Sequence, residues 1–519
     1  MNKNLASKTA NGVKWSSVST IVRAVIQIGY TSIMGHLLDA ETFGLYALMH
    51  VVLRFVDYFA KMGMGQAIIQ KLELERQDIR IAFTVSTVLG LVSALIVWSF
   101  SSLSYLISEN PSLPEIVRFA SITFIFQGLF TTSISLLSRD LRFKNIAINE
   151  IVSFVLGYVF IGITMAFFGF GVYSLICASI SQILINGFLS FIVIKHPIKP
   201  LFIWKRFKPF LSYGGRVSIN SFFEFINISI DKILIEKFLG TRLLGFYDRA
   251  SQLVYLPLYY ITTSVAKVMM PSFSRLQDNI KELSKVYLKI ISLVIIVLFP
   301  FSSYLIFSAE EIVLVVLGEG WEPSITVLRI LAIAIPLSMI NMFAGIVCDA
   351  TAHLNIKMVL IIMRILFICV MFYILMDLGL IGFAWAVVVS DFFYTIAYMF
   401  LMNKILKLEL IKTLKSYSFG IINAIVVGLT LLFIDFILGS FQFEYEYIVS
   451  FFIKGALGFP LILLLILFVH PPLISGQLLT LINKINLDAN SEENFYTKSF
   501  KNYKHYLVKR NNIFLQDND

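Results

Sequence analysis

Apolar runs of about 20 residues, the length of helix that crosses the hydrocarbon core of a bilayer, recur along this chain from its N-terminus to about residue 470. No stretch between them has a soluble composition long enough to build a globular domain. Hydrophobic residues make up 58% of the chain and charged residues 14%, whereas soluble domains are about a quarter charged. In hydrocarbon every backbone N–H and C=O must be bonded within the protein, which leaves helices or a closed barrel. The runs are too long and continuous for the short alternating strands of a barrel. The sequence thus predicts an all-α, polytopic membrane protein.

The net charge of +10 does not indicate nucleic-acid binding, because the basic residues lie in short loops between apolar segments. Cys177, Cys348 and Cys369 lie inside apolar segments without disulfide or metal spacing. No cofactor or metal is expected.

About fourteen transmembrane helices are predicted, over 15–38, 43–65, 80–102, 115–137, 146–168, 170–193, 209–239, 243–270, 286–307, 323–348, 355–375, 379–402, 416–437 and 448–470. With the N-terminus in the cytoplasm, the inside loops and tails hold 28 Lys and Arg residues, and the outside loops hold one, Arg242. This bias predicts both termini in the cytoplasm. A polar tail follows His470-Pro471-Pro472, with an amphipathic helix weighed at 495–510 against a loosely ordered chain.

Shifting the sequence by 201 residues lays LDAETFGLY (38–46) over LGTRLLGFY (239–247), so that Gly44 meets Gly245 and Tyr46 meets Tyr247. The shift equals six spans, which preserves orientation, so the copies are parallel repeats. They imply two six-helix lobes related by pseudo-two-fold symmetry, plus two C-terminal helices. The expected divisions are 1–208, 209–402, 403–470 and the tail 471–519.

A charge at the centre of a membrane helix costs about 2.5–3.5 kcal/mol on insertion scales, so charges kept there face a cavity or a partner. Thr20, Arg23 and Gln27 share one face of the first span. His50, Arg54, Asp57 and Lys61 share a face of the second. Arg216, Asn220, Glu224, Asn227 and Asp231 form a stripe along the seventh, and Asp248-Arg249 opens the eighth. On the functional reading, Arg23, Arg54 and Arg249, with Gln27, Asn220 and Asn227, line a cationic cavity for an anionic group. Glu224, Asp231, Asp57 and Asp248 couple an ion or balance charge. On the structural reading the same residues form interhelical ion pairs, or snorkel, as expected for Lys61, Lys232, Lys237 and Lys267. For Asp349, His353, Arg364, Asp391 and Asp435 the structural reading leads. Trp98, Trp204 and Trp321 stand where interfacial anchors are expected, Tyr255, Tyr259 and Tyr260 are candidates for stacking on a sugar, and Pro257, Pro300 and Pro336 for kinks.

The segments FGLYALMHVVLRFVDYFAKMGMGQAIIQ (43–70), LGFYDRASQLVYLPLYYITTSVAKVMMPSFSRLQD (244–278) and LGEGWEPSITVLRILA (317–332) resemble polysaccharide transporters of the multidrug/oligosaccharidyl-lipid/polysaccharide exporter superfamily. The likeness is to Wzx-type flippases of O-units and exopolysaccharides, and covers about residues 1–470. The resemblance implies a non-enzymatic flippase of the bacterial inner membrane, acting in lipopolysaccharide or other surface polysaccharide biosynthesis. Its cargo would be undecaprenyl-diphosphate-linked oligosaccharide, moved from the cytoplasmic to the periplasmic leaflet by alternating access. The implied driving force is an ion gradient, of H+ or Na+, or the membrane potential, and membrane lipids and polysaccharide polymerase or assembly proteins are the implied partners. The similar lipid II flippases carry cavity arginines on spans one, two and eight, the spans of Arg23, Arg54 and Arg249. No aspartate adjoins Arg23, which leaves the coupling-ion site open. Two alternatives stay open: a drug or cation antiporter of the same superfamily, and a membrane-embedded polysaccharide polymerase or ligase.

Overall fold

The computed structural model describes residues 3–60, 64–71, 73–408, 410–440, 446–471, 475 and 507–508. Within these helices the side chains of Arg216, Asn220, Pro257, Tyr259, Tyr260 and Lys267 lie outside the description, as do Lys61 and the segment 495–506. Among the described residues the regular elements are all helical. In chain order they are α1 (Lys3–Leu37), α2 (Ala40–Ala60), α3 (Met64–Gln70), α4 (Arg76–Ser99), α5 (Leu113–Ala120), α6 (Ile122–Arg139), α7 (Phe143–Phe154), α8 (Ile163–Phe167), α9 (Val172–Ile194) and α10 (Trp204–Leu239). Then come α11 (Thr241–Arg275), α12 (Ile280–Phe307), α13 (Ala309–Val316), α14 (Glu322–Ala350), α15 (Leu354–Leu375), α16 (Gly379–Leu406), α17 (Leu410–Leu438) and α18 (Glu446–Phe468).

Nine described segments are long and apolar enough to cross a membrane, one of them, Leu354–Leu406, containing both α15 and α16. The helices α1, α2, α10 and α11, 35, 21, 36 and 35 residues long, are the other long elements on which spans are expected. The turn between α8 and α9 is made by Gly169 and Gly171, with φ of 80° and 52°. Both angles lie where a Cβ is strained, so glycine is what lets two antiparallel helices follow each other here.

The chain forms two compact units. One comprises 1–264, 313–327 and 358–387; the other comprises 265–312, 328–357 and 388–519.

In the first unit, helices approach at small residues, as they must where lipid offers no hydrophobic drive for association. A Cβ on Gly90 or on Gly128 would press on the facing backbone of α6 or α4, respectively. Two further glycines make a reciprocal contact where α2 and α11 begin. A Cβ on Gly44 would overlap the Thr241 carbonyl, and one on Gly245 would overlap the Ala40 carbonyl. The 201-residue shift that pairs the two glycines also pairs Ala40 with Thr241, so each copy seats the other's first helical turn. Met64, Ile68, Ile81, Ala82, Val85 and Leu136 form a buried cluster where α3, α4 and α6 meet.

Trp321 corrects an expectation. It is 3% exposed, its Nε1 donates to the Gly35 carbonyl at 3.0 Å, and its ring packs edge-on against Phe43 and Phe246. A buried indole must satisfy its N–H, and the end of α1 supplies the acceptor. Trp98 and Trp204 are exposed, as an interfacial position requires.

In the second unit α12 lies along α17. Gly420 faces Ile295, Gly428 faces Phe307, and the Ser303 hydroxyl donates to the Ala424 carbonyl at 2.7 Å. Lys454 is 1% exposed. Its Nζ meets Glu311 at 2.5 Å, Asp435 at 2.7 Å and the Phe307 carbonyl at 2.8 Å. All three ammonium donors are used, which makes burial of this charge tolerable. Asp349 pairs with Lys357 at 2.9 Å and Asp391 accepts from Ser338 at 2.6 Å.

Gly245→Ala should destabilise the protein by about 1–3 kcal/mol, because the added methyl meets backbone that cannot yield. Gly29, with open space around its missing Cβ, should accept Ala neutrally or with a gain of up to about 1 kcal/mol. Thermal unfolding of the two variants in detergent, beside wild type, checks both.

Candidate functional site

A cavity of about 450 Å³ opens within the first unit, lined by residues of α1, α2, α9, α10, α11 and the segment between α7 and α8. Helical periodicity explains how each element reaches it. Tyr46, His50 and Arg54, spaced by four, project from one face of α2. Asp248, Gln252 and Tyr255 do so from α11, beside Arg249; Ser229 and Lys232 come from α10, and Gln27 and Tyr30 from α1. Residues Val155–Gly162 are wound as a π-helix, and Tyr158 in this stretch also faces the cavity. Such insertions are frequent at functional sites because they re-aim a side chain without ending the helix.

The wall combines aromatic rings with charges. Tyr30 meets Tyr158 at 5.0 Å between centroids, Phe154 stacks on Tyr158 at 4.6 Å, and Tyr46 meets His50 at 4.4 Å. The charges are Arg54, Lys232 and Arg249, with Asp248 as the carboxylate. With His50 neutral, the lining carries two net positive charges. Asp248 is gripped from both sides: Lys232 Nζ reaches Oδ1 at 2.5 Å and Arg249 Nη2 reaches Oδ2 at 2.5 Å. The Arg249 guanidinium also lies 4.2 Å over the Phe43 ring, a cation–π contact that fixes its plane. Arg54 is exposed and enters neither pair.

Of the site residues expected from the sequence, Gln27, Arg54, Asp248 and Arg249 are brought together here, and Tyr255, a candidate for stacking on a sugar, joins them. Arg23, Asn227 and Asp231 meet other partners. Arg23, on the same helix as Gln27, meets Glu150 at 3.0 Å, and Ser19 donates to the same carboxylate at 3.1 Å. Its partner is a glutamate of α7. Asn227 Oδ1 accepts from Arg364 at 2.6 Å, and Asp231 accepts from the Tyr247 hydroxyl at 2.7 Å. Asp57 and Glu224 are partly buried and are not among the cavity's lining residues. The side chain of Asn220 lies outside the described residues. Lys232 is the correction in the other direction: expected to snorkel, it lines the cavity because Asp248 holds it there. Sequence reasoning also passed over His50, Tyr30 and Tyr158 as site residues. His50 stood on the recognised face of α2; no signal pointed to the two tyrosines.

A family model described as polysaccharide biosynthesis protein matches residues 33–326, more than half of the chain and every lining residue of the cavity except Gln27 and Tyr30. The chain belongs to this family. Among its relatives is the lipopolysaccharide biosynthesis protein WzxC of Escherichia coli, 22% identical over 68% of this chain and 72% of that one. Another is the teichuronic acid biosynthesis protein TuaB of Bacillus subtilis, 24% identical over 64% and 68%. A membrane protein of the cps region of Klebsiella pneumoniae is 24% identical over 94% of this chain and 100% of its own. Among solved structures, the lipid II flippase MurJ in an inward closed conformation aligns with a TM-score of 0.69 at 16% identity, over 87% of this chain and 97% of that one. An inward-facing multidrug resistance MATE transporter of the MOP superfamily aligns at 0.61 and 15% identity, over 75% and 99%. The fold is that of MOP-superfamily transporters, and the protein is a multi-pass membrane protein of polysaccharide biosynthesis rather than an enzyme.

Because Arg23 and Glu150 are each about a third exposed, their coupling should be modest. A double-mutant cycle on thermal stability with Arg23→Ala, Glu150→Ala and the double variant is expected to give about 1 kcal/mol or less.

Proposed function

We propose that this protein is a flippase for undecaprenyl-diphosphate-linked oligosaccharide repeat units, carrying them from the cytoplasmic to the outer leaflet of the bacterial inner membrane by alternating access. The observation that carries the reading is the cavity's chemistry: Arg54, Lys232 and Arg249 against a single lining carboxylate, with tyrosines in the same wall. A diphosphate diester brings two negative charges, and guanidinium and ammonium donors suit its oxygens. Tyrosine rings offer apolar faces and hydroxyls to sugars. The polyprenyl tail would stay in lipid, so the cavity need hold only the head.

Family membership and the MOP-superfamily fold support transport in polysaccharide biosynthesis. The positive-inside bias supports cytoplasmic termini, and the reciprocal packing of Gly44 and Gly245 supports the division into two repeats near residue 208. Outward movement of a doubly charged head against an inside-negative potential is downhill by about 2.3 kcal/mol per charge per 100 mV. Alternating access then needs only that the bundle open to one side at a time. A drug or cation antiporter is disfavoured by the sign of the cavity charge, since a cationic cargo would meet two net positive charges.

In cells lacking the protein, undecaprenyl-linked repeat units should accumulate on the cytoplasmic side of the membrane. Wild type should clear them, and Arg54→Ala at equal membrane levels should clear them at least tenfold more slowly. Normal surface polysaccharide and no accumulation without the protein would refute the reading.

A further inference from the structure

Three of the charged clusters among the described residues differ in what they leave open. Lys454 is sealed, its ammonium fully engaged by Glu311, Asp435 and the Phe307 carbonyl. The Arg23–Glu150 pair does not line the cavity. Asp248, with Lys232 and Arg249, stands in the cavity wall, where a ligand would arrive.

We propose that Asp248 is a resident anion of the empty cavity, which the phosphate oxygens of the cargo displace from Lys232 and Arg249. This deepens the flippase reading and rests on it. The carboxylate presents one oxygen to each cation, both at 2.5 Å. Two acceptor oxygens held by an ammonium on α10 and a guanidinium on α11 are the arrangement a phosphate would adopt between the same donors. Arg249 is 7% exposed and held over Phe43, so its guanidinium stays in place while the acceptor changes. Lys232, with its side chain 27% exposed, has the freedom to follow the ligand.

Charge decides why the exchange is tolerable. Three cations, one carboxylate and the two charges of a diphosphate diester cancel, so the loaded cavity is neutral and displaced Asp248 adds no net buried charge. Arg54, outside the clamp, makes the first contact. The clamp also limits how tightly the head is held. A carrier that bound its cargo with all three cations free would release it slowly, whereas a carboxylate tethered beside the site re-forms its own pairs as the cargo leaves. Asp248 is thus a positioning residue that acts through Lys232 and Arg249.

The test measures equilibrium binding of inorganic diphosphate to the purified full-length protein by calorimetry, for wild type, Asp248→Asn, Asp248→Glu and Arg54→Ala. Removing the competitor should tighten binding about tenfold or more in Asp248→Asn, leave Asp248→Glu near wild type, and weaken Arg54→Ala. A merely structural role for Asp248 would lower affinity instead, so equal or weaker binding by a normally melting Asp248→Asn overturns the proposal. Wild type gives an independent readout that needs no variant: carbodiimide labelling of the Asp248 carboxylate, followed by peptide mass spectrometry. Labelling should rise when diphosphate is added, and unchanged or reduced labelling overturns the proposal. If wild type and every variant fail to bind diphosphate, and Arg54→Ala still clears lipid-linked units in cells, the flippase cavity itself falls and the proposal with it.

Discussion

Taking a charge out of water sets the terms for this protein. At the centre of a membrane helix each charged side chain costs a few kcal/mol on insertion scales, so every one retained there must be paired, hydrated or both. The second unit meets the demand by closure, spending all three donors of Lys454 on two carboxylates and a backbone carbonyl. The first unit meets it partly by leaving space. Arg54, Lys232, Asp248 and Arg249 share a cavity wall, where water or a ligand can reach them. Four helices interrupted by charge, α1, α2, α10 and α11, each supply lining residues.

The glycine contact at the start of α2 and α11 works alongside this electrostatics. Backbone approaches backbone at Gly44 and Gly245, which lets the faces bearing Arg54 and Arg249 line one cavity less than three turns further along each helix. With side chains at these two positions the helices would stand apart and their charges would lack a common wall.

Much of this was readable from residue spacing alone. The apolar runs predicted a helical membrane fold, and the 201-residue shift predicted that Gly44 and Gly245 occupy equivalent places. The faces of α1, α2 and α11 predicted Gln27, Arg54, Asp248 and Arg249 at the site. Spacing shows which residues share a face, but not what that face meets. Arg23 finds Glu150 from another span, and Asn227 finds Arg364; neither partner is visible from local periodicity. On α10 the expected stripe and the cavity-facing residues differ: Asp231 turns to Tyr247, while Ser229 and Lys232 turn to the cavity. Tyr158 reaches it through a π-helical stretch, a winding that an apolar sequence does not announce. Trp321 stands where an interfacial anchor is expected, but its indole folds back to the carbonyl of Gly35.

The central claim is that the cargo's diphosphate sits among Arg54, Lys232 and Arg249. Cryo-electron microscopy of the protein in nanodiscs with a short-chain prenyl-diphosphate disaccharide examines it directly. Density for the two phosphates within hydrogen-bonding reach of these three side chains, with the sugars toward Tyr30 and Tyr158, is the expected result. Density for the head group elsewhere, with the Asp248 clamp intact and the cavity holding only water, would contradict the account.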